Sequence, residues 1–196
     1  LPELALEELK AENSRKKGIM EQIIIACKQV IALLQAQLEI KTIVDKKENS
    51  KEGAIEKMAL AIKDFEDWVE PGGHYRDGRL APHGSLSYRN KNPGNLKFAD
   101  QIGATGKDQF GHAIFATEEY GWQALLNQLC LAFEGRSKNF KPEMMLYNRD
   151  FTSYSATPNQ LPGFFQRYAE GNSKEYSEFV AEKLDVPVTT RLNDLT

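Results

Sequence analysis

The chain has 196 residues, of which 41% are hydrophobic and 27% charged, with a formal net charge of -3. That length holds one domain of ordinary size plus an accessory segment, and the composition is that of a soluble globular protein. The slight acidity excludes an electrostatic case for nucleic acid as a partner.

Residues 1–45 read as an N-terminal helical arm, either a hairpin or coiled-coil-like. Leu4, Ala5, Leu6 and Leu9 form a weak apolar face, and Ser14-Arg15-Lys16-Lys17-Gly18 reads as a break. Beyond it, Ile23, Ala26, Val30, Leu33, Ile40 and Val44 recur at three- and four-residue steps. Ile24, Cys27, Ile31, Leu34 and Leu38 make a second row beside the first. Two adjacent rows give a face wider than a simple coiled-coil seam. Lys28, Gln29, Gln35, Gln37 and Glu39 interrupt the run, which argues against a membrane span. The face is expected to pack on Pro2–Asn13 or in a self-association interface.

Residues 46–53, rich in Lys and Glu, are predicted to be a linker, with the main domain at 54–196. Helical spacing resumes from Ala54 to Trp68, with Ile55, Met58, Ala59, Ile62 and Phe65 on one face. The stretch from Glu70 to about Phe115 is loop-rich, with a hairpin turn at Arg76-Asp77-Gly78-Arg79 and a short strand at His112–Phe115. Gly121–Phe133 is a strong amphipathic helix in which Trp122, Leu125, Leu126, Leu129 and Phe133 share a face. Further helices are expected near Leu161–Tyr168 and Lys174–Leu184, the last capped by Asn172-Ser173. The predicted fold is mainly helical with a small β-lobe, preceded by the arm.

Cys27 and Cys130 form no disulfide framework and read as buried free thiols, with a single bridge as the alternative. His74, His83 and His112 lack metal-ligand spacing, so no metal and no cofactor is expected.

Between the apolar helices lies Ser87-Tyr88-Arg89-Asn90-Lys91-Asn92-Pro93-Gly94-Asn95-Leu96-Lys97. Pro93 presets its own φ and biases Asn92 to an extended conformation, while Gly94 is able to take a positive φ. Arg89, Asn90, Asn92 and Asn95 then project hydrogen-bonding groups from a stiff turn, as a site for a polar, uncharged ligand such as a sugar requires. An ordinary solvated loop is the alternative.

Glu66 ends the Ala54–Trp68 helix between Phe65 and Trp68, with Trp122 expected to approach. A carboxyl against aromatic surface loses hydration and holds its proton to higher pH, which suits a general acid. Asp64, Asp67 and Glu70 are competing acids.

Glu66, the Arg89–Leu96 block and Gly111-His112-Ala113-Ile114-Phe115-Ala116-Thr117-Glu118-Glu119-Tyr120-Gly121-Trp122 occur in that order. Together they resemble a family of phage- and bacteria-encoded lysozyme-like domains related to lytic transglycosylases. Phe165-Gln166-Arg167-Tyr168-Ala169-Glu170-Gly171-Asn172 is similar to that family's Tyr-Ala-Pro…Asn segment, and Tyr176–Val180 through Pro187 to its final helix. The resemblance covers about residues 54–194. The chain departs from the pattern at Asp67, where the family usually has Gly, and at Lys91. The segment from Val69 to Leu86 is longer than usual and reads as a flap or, by preference, an inert surface hairpin.

The resemblance implies cleavage of the β-1,4 bond between N-acetylmuramic acid and N-acetylglucosamine, with peptidoglycan glycan strands as the partner. Glu66 would be the catalytic acid and base. Tyr88, Arg89, Asn92, Asn95, Phe115, Thr117 and Tyr168 would bind substrate, with Asn92 and Asn95 shaping the cleft floor. An extracytoplasmic location follows: secreted, periplasmic or virion-associated. The chain begins at Leu1 rather than Met, which predicts that upstream sequence, with any signal peptide, has been removed. A hydrolytic lysozyme would more often use a second carboxylate, for which Asp77, Asp100, Asp108, Glu118 and Glu119 are candidates. The competing readings are a glycan-binding or structural protein that does not cut, and an interaction module working through its arm.

Overall fold

Pro2–Glu48 forms one uninterrupted helix of 47 residues, α1, in the computed structural model. The structure describes residues 2–48, 50–151, 161–169 and 171–195, with the side chains of 7, 12–42 and, from Ser50 on, of all the described residues. The chain divides into two compact units, 1–48 and 49–196.

In the first unit the expected break at Ser14–Gly18 does not occur. Arg and Lys are good helix formers, and one interior Gly costs only about 1 kcal/mol, so Gly18 does not stop a helix this long. Pro2–Asn13 therefore continues the axis and does not fold back on Ile19–Val44. Every side chain from Glu12 to Thr42 is exposed, Cys27 included, so its expected burial is corrected, and neither cysteine is bonded. The Glu12–Thr42 stretch is long and apolar enough, by length and composition, to cross a membrane. That tempers the argument made from its interrupting polar residues. The face through Leu4, Ala5, Leu6 and Leu9 lies outside the described side chains.

The second unit is mainly helical with two small two-stranded sheets. Most of the expected 46–53 linker is helical: α1 runs to Glu48, and α2 (Lys51–Phe65) starts at Lys51. Ser50 caps α2 by accepting from Gly53 N at 3.1 Å. Its Ile55, Met58, Ala59, Ile62 and Phe65 are all buried, as their spacing requires. The helix ends three residues before Trp68, because Asp67 turns to φ 48°. That left-handed region is natural for Gly and tolerated by Asp, so the departure at Asp67 keeps the backbone that a Gly would supply.

The strands β1 (Gly73–His74) and β2 (Leu80–Ala81) form the expected hairpin, turning at Gly78. A short helix, α3 (Leu86–Arg89), follows. The second sheet pairs β3 (Ala104–Lys107) with β4 (Ala113–Phe115). Helix α4 (Glu118–Phe133) begins three residues earlier than expected, where Thr117 Oγ1 accepts from Tyr120 N. It buries Leu125, Leu129 and Phe133 and leaves Trp122 and Leu126 partly covered. Helix α5 is confined to Phe164–Tyr168, and α6 runs from Ser173 to Leu184. Asn172 sits at the N-cap position of α6 but makes no side-chain capping bond, contrary to its expected role. Packing of α2 against α6 and α4, with α5 against α6, builds one core.

Candidate active site

Glu66 is the C-cap of α2, and its N–H donates to Ile62 O at 2.9 Å. Two serines lock the turn behind it. Ser87 Oγ donates to Glu66 O at 3.0 Å, and Ser85 Oγ accepts from Val69 N and Tyr88 N. The carboxyl faces a cavity of about 530 Å³ walled by Phe65, Asn95, Gln128, Asn139, Tyr168 and Tyr176, among others. Among the described residues, Glu66 is the sole carboxylate on that wall.

Burial is the main influence on Glu66 and raises its proton affinity, since the charged form loses hydration. The Tyr176 hydroxyl and the Asn95 amide lie close enough to favour the ionised form, as does Arg76, but they do not offset the burial. A helix C-terminus also disfavours a carboxylate. Among the described residues, the buried Tyr176 hydroxyl completes no hydrogen bond, and Asn95 Oδ1 is likewise unpaired. Tyr176 is held by its ring, stacked on Phe65 at a centroid distance of 3.8 Å and on Phe165 at 4.6 Å.

The expected aromatic surroundings of Glu66 need one correction. Trp68 and Trp122 gather around Lys63 Nζ, at 4.6 and 6.0 Å, and neither lines the cavity. Phe65, Phe140, Tyr168 and Tyr176 supply the apolar surface instead. The 69–86 segment is also more than a surface hairpin. It lays the Arg76 guanidinium 4.0 Å from the Phe65 ring centroid, and Arg76 N donates to Asp67 Oδ1 at 2.9 Å.

In the Asn92–Asn95 loop the positive φ falls on Asn95, at 48°, and not on Gly94. Gly94 is required for close approach: a Cβ there would lie 2.8 Å from Leu125 Cδ1 and 2.9 Å from the Tyr168 hydroxyl. Asn92 is fully buried; its Nδ2 donates to Leu96 O and Ala113 O, and its Oδ1 accepts from Leu96 N. It shapes the loop from beneath. Of the expected substrate contacts, Asn95 and Tyr168 reach the cavity wall with Glu66. Tyr88 lies edge-on to Trp68, Arg89 is exposed, Phe115 is buried in β4, and Thr117 caps α4. These four lie off the wall.

Several wall residues were not singled out as candidates from the sequence: Gln101, Gln128, Asn139, Arg167 and Tyr176. Arg167 and Tyr176 carried a signal, as parts of the Phe165–Asn172 and final-helix blocks; the other three carried none. A part-buried polar cluster lies nearby, on the β3–β4 turn. Asn90 Nδ2 donates to Asp108 Oδ2 at 2.8 Å, and Asp108 Oδ1 accepts from the N–H groups of Phe110 and His112. Burial alone would raise the Asp108 carboxyl, but these bonds outweigh it and hold the group below the usual carboxylate range. Asp108 is thus occupied in fixing the β3–β4 turn. Asp77 is paired with Arg79, and Glu118 with Lys63 at 2.9 Å. Among the described residues no cluster of His, Cys, Asp or Glu is arranged to hold a metal ion. Comparison of the chain with family models, curated proteins and solved structures gives no match.

Proposed function

We propose that the second unit cleaves the glycan strand of peptidoglycan as a lytic transglycosylase, with Glu66 as both acid and base. The observation that carries the reading is the carboxylate that stands alone among the described wall residues, desolvated and proton-retaining, in a cavity that also presents five carboxamides, two tyrosines, His112, Lys97 and Arg167. Carboxamides beside aromatic faces suit a polar, neutral ligand, and the volume lies in the range of small-molecule sites. In the forward step Glu66 gives its proton to the glycosidic oxygen, and that bond breaks. The substrate's own N-acetyl group stabilises the oxocarbenium-like centre. The Glu66 carboxylate then takes the proton of the muramic 6-hydroxyl as its oxygen bonds to the anomeric carbon. A 1,6-anhydro end results, and Glu66 is reprotonated. Water-activating hydrolysis would more often use a second carboxylate in the cleft.

The test is turbidity loss of purified sacculi, with mass spectrometry of the released muropeptides. Anhydro ends that vanish in Glu66→Gln are expected. Hydrated ends would make the enzyme a hydrolase. Intact sacculi, with the folded protein still bound to them, would favour a glycan-binding role.

A further inference from the structure

The α1 helix leaves large apolar side chains in solvent along its length, with Leu33 and Leu38 each 66% exposed. Their order is a strict seven-residue repeat. Ile19, Ala26, Leu33 and Ile40 occupy one position of it, and Ile23, Val30 and Gln37 the position three residues before. These are the d and a positions of a heptad. Met20, Cys27 and Leu34, with Ile24, Ile31 and Leu38, repeat the same pattern one residue on. The row opposite the first seam is Glu21, Lys28, Gln35 and Thr42, polar throughout, and beside it the row opposite both seams holds Ile25, Ala32 and Glu39. A sustained seven-residue period is the signature of left-handed supercoiling, because a straight helix drifts out of register with it.

Three features identify what covers this surface. First, two seams offset by one residue lie about 100° apart around the helix. Each copy then meets two neighbours, which a closed ring of copies satisfies and a pair does not. Second, Gln37 is the one polar residue in the core positions of the first seam. In a parallel, in-register assembly it meets Gln37 of the other copies at one level, where amides pair with amides. Antiparallel packing about the middle of the Ile19–Val44 stretch would set it against apolar residues near Ala26, leaving a buried amide unpaired. Third, a bilayer is a poorer cover. Glu21, Lys28 and Glu39 lie inside the Glu12–Thr42 stretch, and a charge at the centre of a membrane helix costs about 2.5–3.5 kcal/mol on insertion scales.

We propose that α1 assembles with copies of itself into a parallel, in-register bundle of more than two chains. The apolar seams close on each other and the Glu21–Lys28–Gln35–Thr42 strip faces water. The bundle makes the protein multivalent, since each copy brings its own second unit.

The experiment is sedimentation-equilibrium mass of the full chain in aqueous buffer at micromolar concentration, with flotation on anionic phospholipid vesicles in parallel. A mass of three or more chains is expected, with no flotation. Leu33→Glu in the first seam and Ile31→Glu in the second should each lower the mass to that of smaller species, whereas Gln35→Glu on the outer strip should leave it unchanged. Circular dichroism reports whether the second unit remains folded in each variant. A monomer or dimer for the wild type overturns the proposal, as does flotation of the wild type. So does an Ile31→Glu variant that keeps the wild-type mass, because it would remove the second seam from the assembly.

Discussion

The Tyr168 hydroxyl donates a 2.7 Å hydrogen bond to the Gly94 carbonyl, joining α5 to a loop 74 residues earlier in the chain. Tyr168 thereby fixes the height of the Asn95 turn at the cavity wall, and burial holds its hydroxyl protonated well above the ordinary tyrosine range. Tyr168→Phe keeps the ring, which stacks near Phe164 at 5.4 Å, and leaves a carbonyl unpaired. A loss of about 1 kcal/mol is expected, with the melting temperature falling by roughly 3–5 °C. Scanning calorimetry checks it; an unchanged transition would show that the bond does not hold the loop.

Asn92→Ala is expected to be far more damaging. It strands the carbonyls of Leu96 and Ala113 and the N–H of Leu96 in a buried site. Each unpaired buried group costs about 1–3 kcal/mol. The variant should therefore lose most of the unit's marginal stability and melt at least ~10 °C below wild type. Asn92→Asp is the informative companion. It restores the acceptor for Leu96 N but not the two donors, so it should melt no higher than midway between Asn92→Ala and wild type.

Glu66→Gln removes the titrating proton and keeps the shape. A loss of about 10²–10⁴-fold in sacculus cleavage is expected, the usual range for a general acid. The variant should be at least as stable as wild type at neutral pH, because it no longer buries a charge. Chemical denaturation measured beside activity separates the two effects. Activity within threefold of wild type would remove Glu66 from the chemistry.

Much of this arrangement was legible in the chain. The three- and four-residue spacing of Ile55, Met58, Ile62 and Phe65 located α2 and put Glu66 at its end. The Gly78 turn and the His112–Phe115 strand were equally visible, because local backbone preference and local pattern agree there. What was not legible depends on contacts between distant segments. Tyr176 reads as one apolar position of α6 until α6 is laid against Phe65. Gly94 reads as a left-handed turn residue until Tyr168 and Leu125 are seen crowding its α-carbon. Asp67 reads as a departure until its backbone angle is known. The Ser14–Gly18 break was misread for a different reason: one weak helix former was weighed without the strong ones on both sides of it.

Linkage makes the burial of Glu66 measurable in the absence of substrate. Its folded-state proton affinity is raised above that of an ordinary carboxyl. Between the unfolded and folded values the native state binds more protons, so stability falls as pH rises through that window and is level above it. Wild type minus Glu66→Gln stability, measured by urea denaturation from pH 4 to 8, should therefore become steadily less favourable to wild type and then plateau. The plateau pH reports the folded value. A flat difference would mean that Glu66 is solvated, and a rising one that its charge is stabilised in the fold.

Tyr176→Phe tests the partner that Glu66 needs after it has given up its proton. The hydroxyl lies buried beside the carboxyl without a completed bond, so it is free to donate when charge appears there. Burial keeps the hydroxyl itself protonated far above neutral pH, so it acts as a fixed donor. Phenylalanine preserves the stacking on Phe65 and Phe165 and removes only that donor. A hydrogen bond to a charged group is worth about 1.5–3 kcal/mol, or roughly one to two pKa units. The carboxyl of Glu66, followed by carbon NMR, is therefore expected to titrate about that much higher in the variant. The alkaline limb of the pH–rate profile on sacculi, where Glu66 loses the proton it must donate, should move the same way, with the maximum rate lowered because the base step loses its support. The direct titration does not depend on cleavage, so it holds even if the glycan reading fails. An unchanged Glu66 titration in a folded Tyr176→Phe protein would mean that the hydroxyl never reaches the carboxylate, leaving Asn95 and Arg76 as its stabilising neighbours among the described residues.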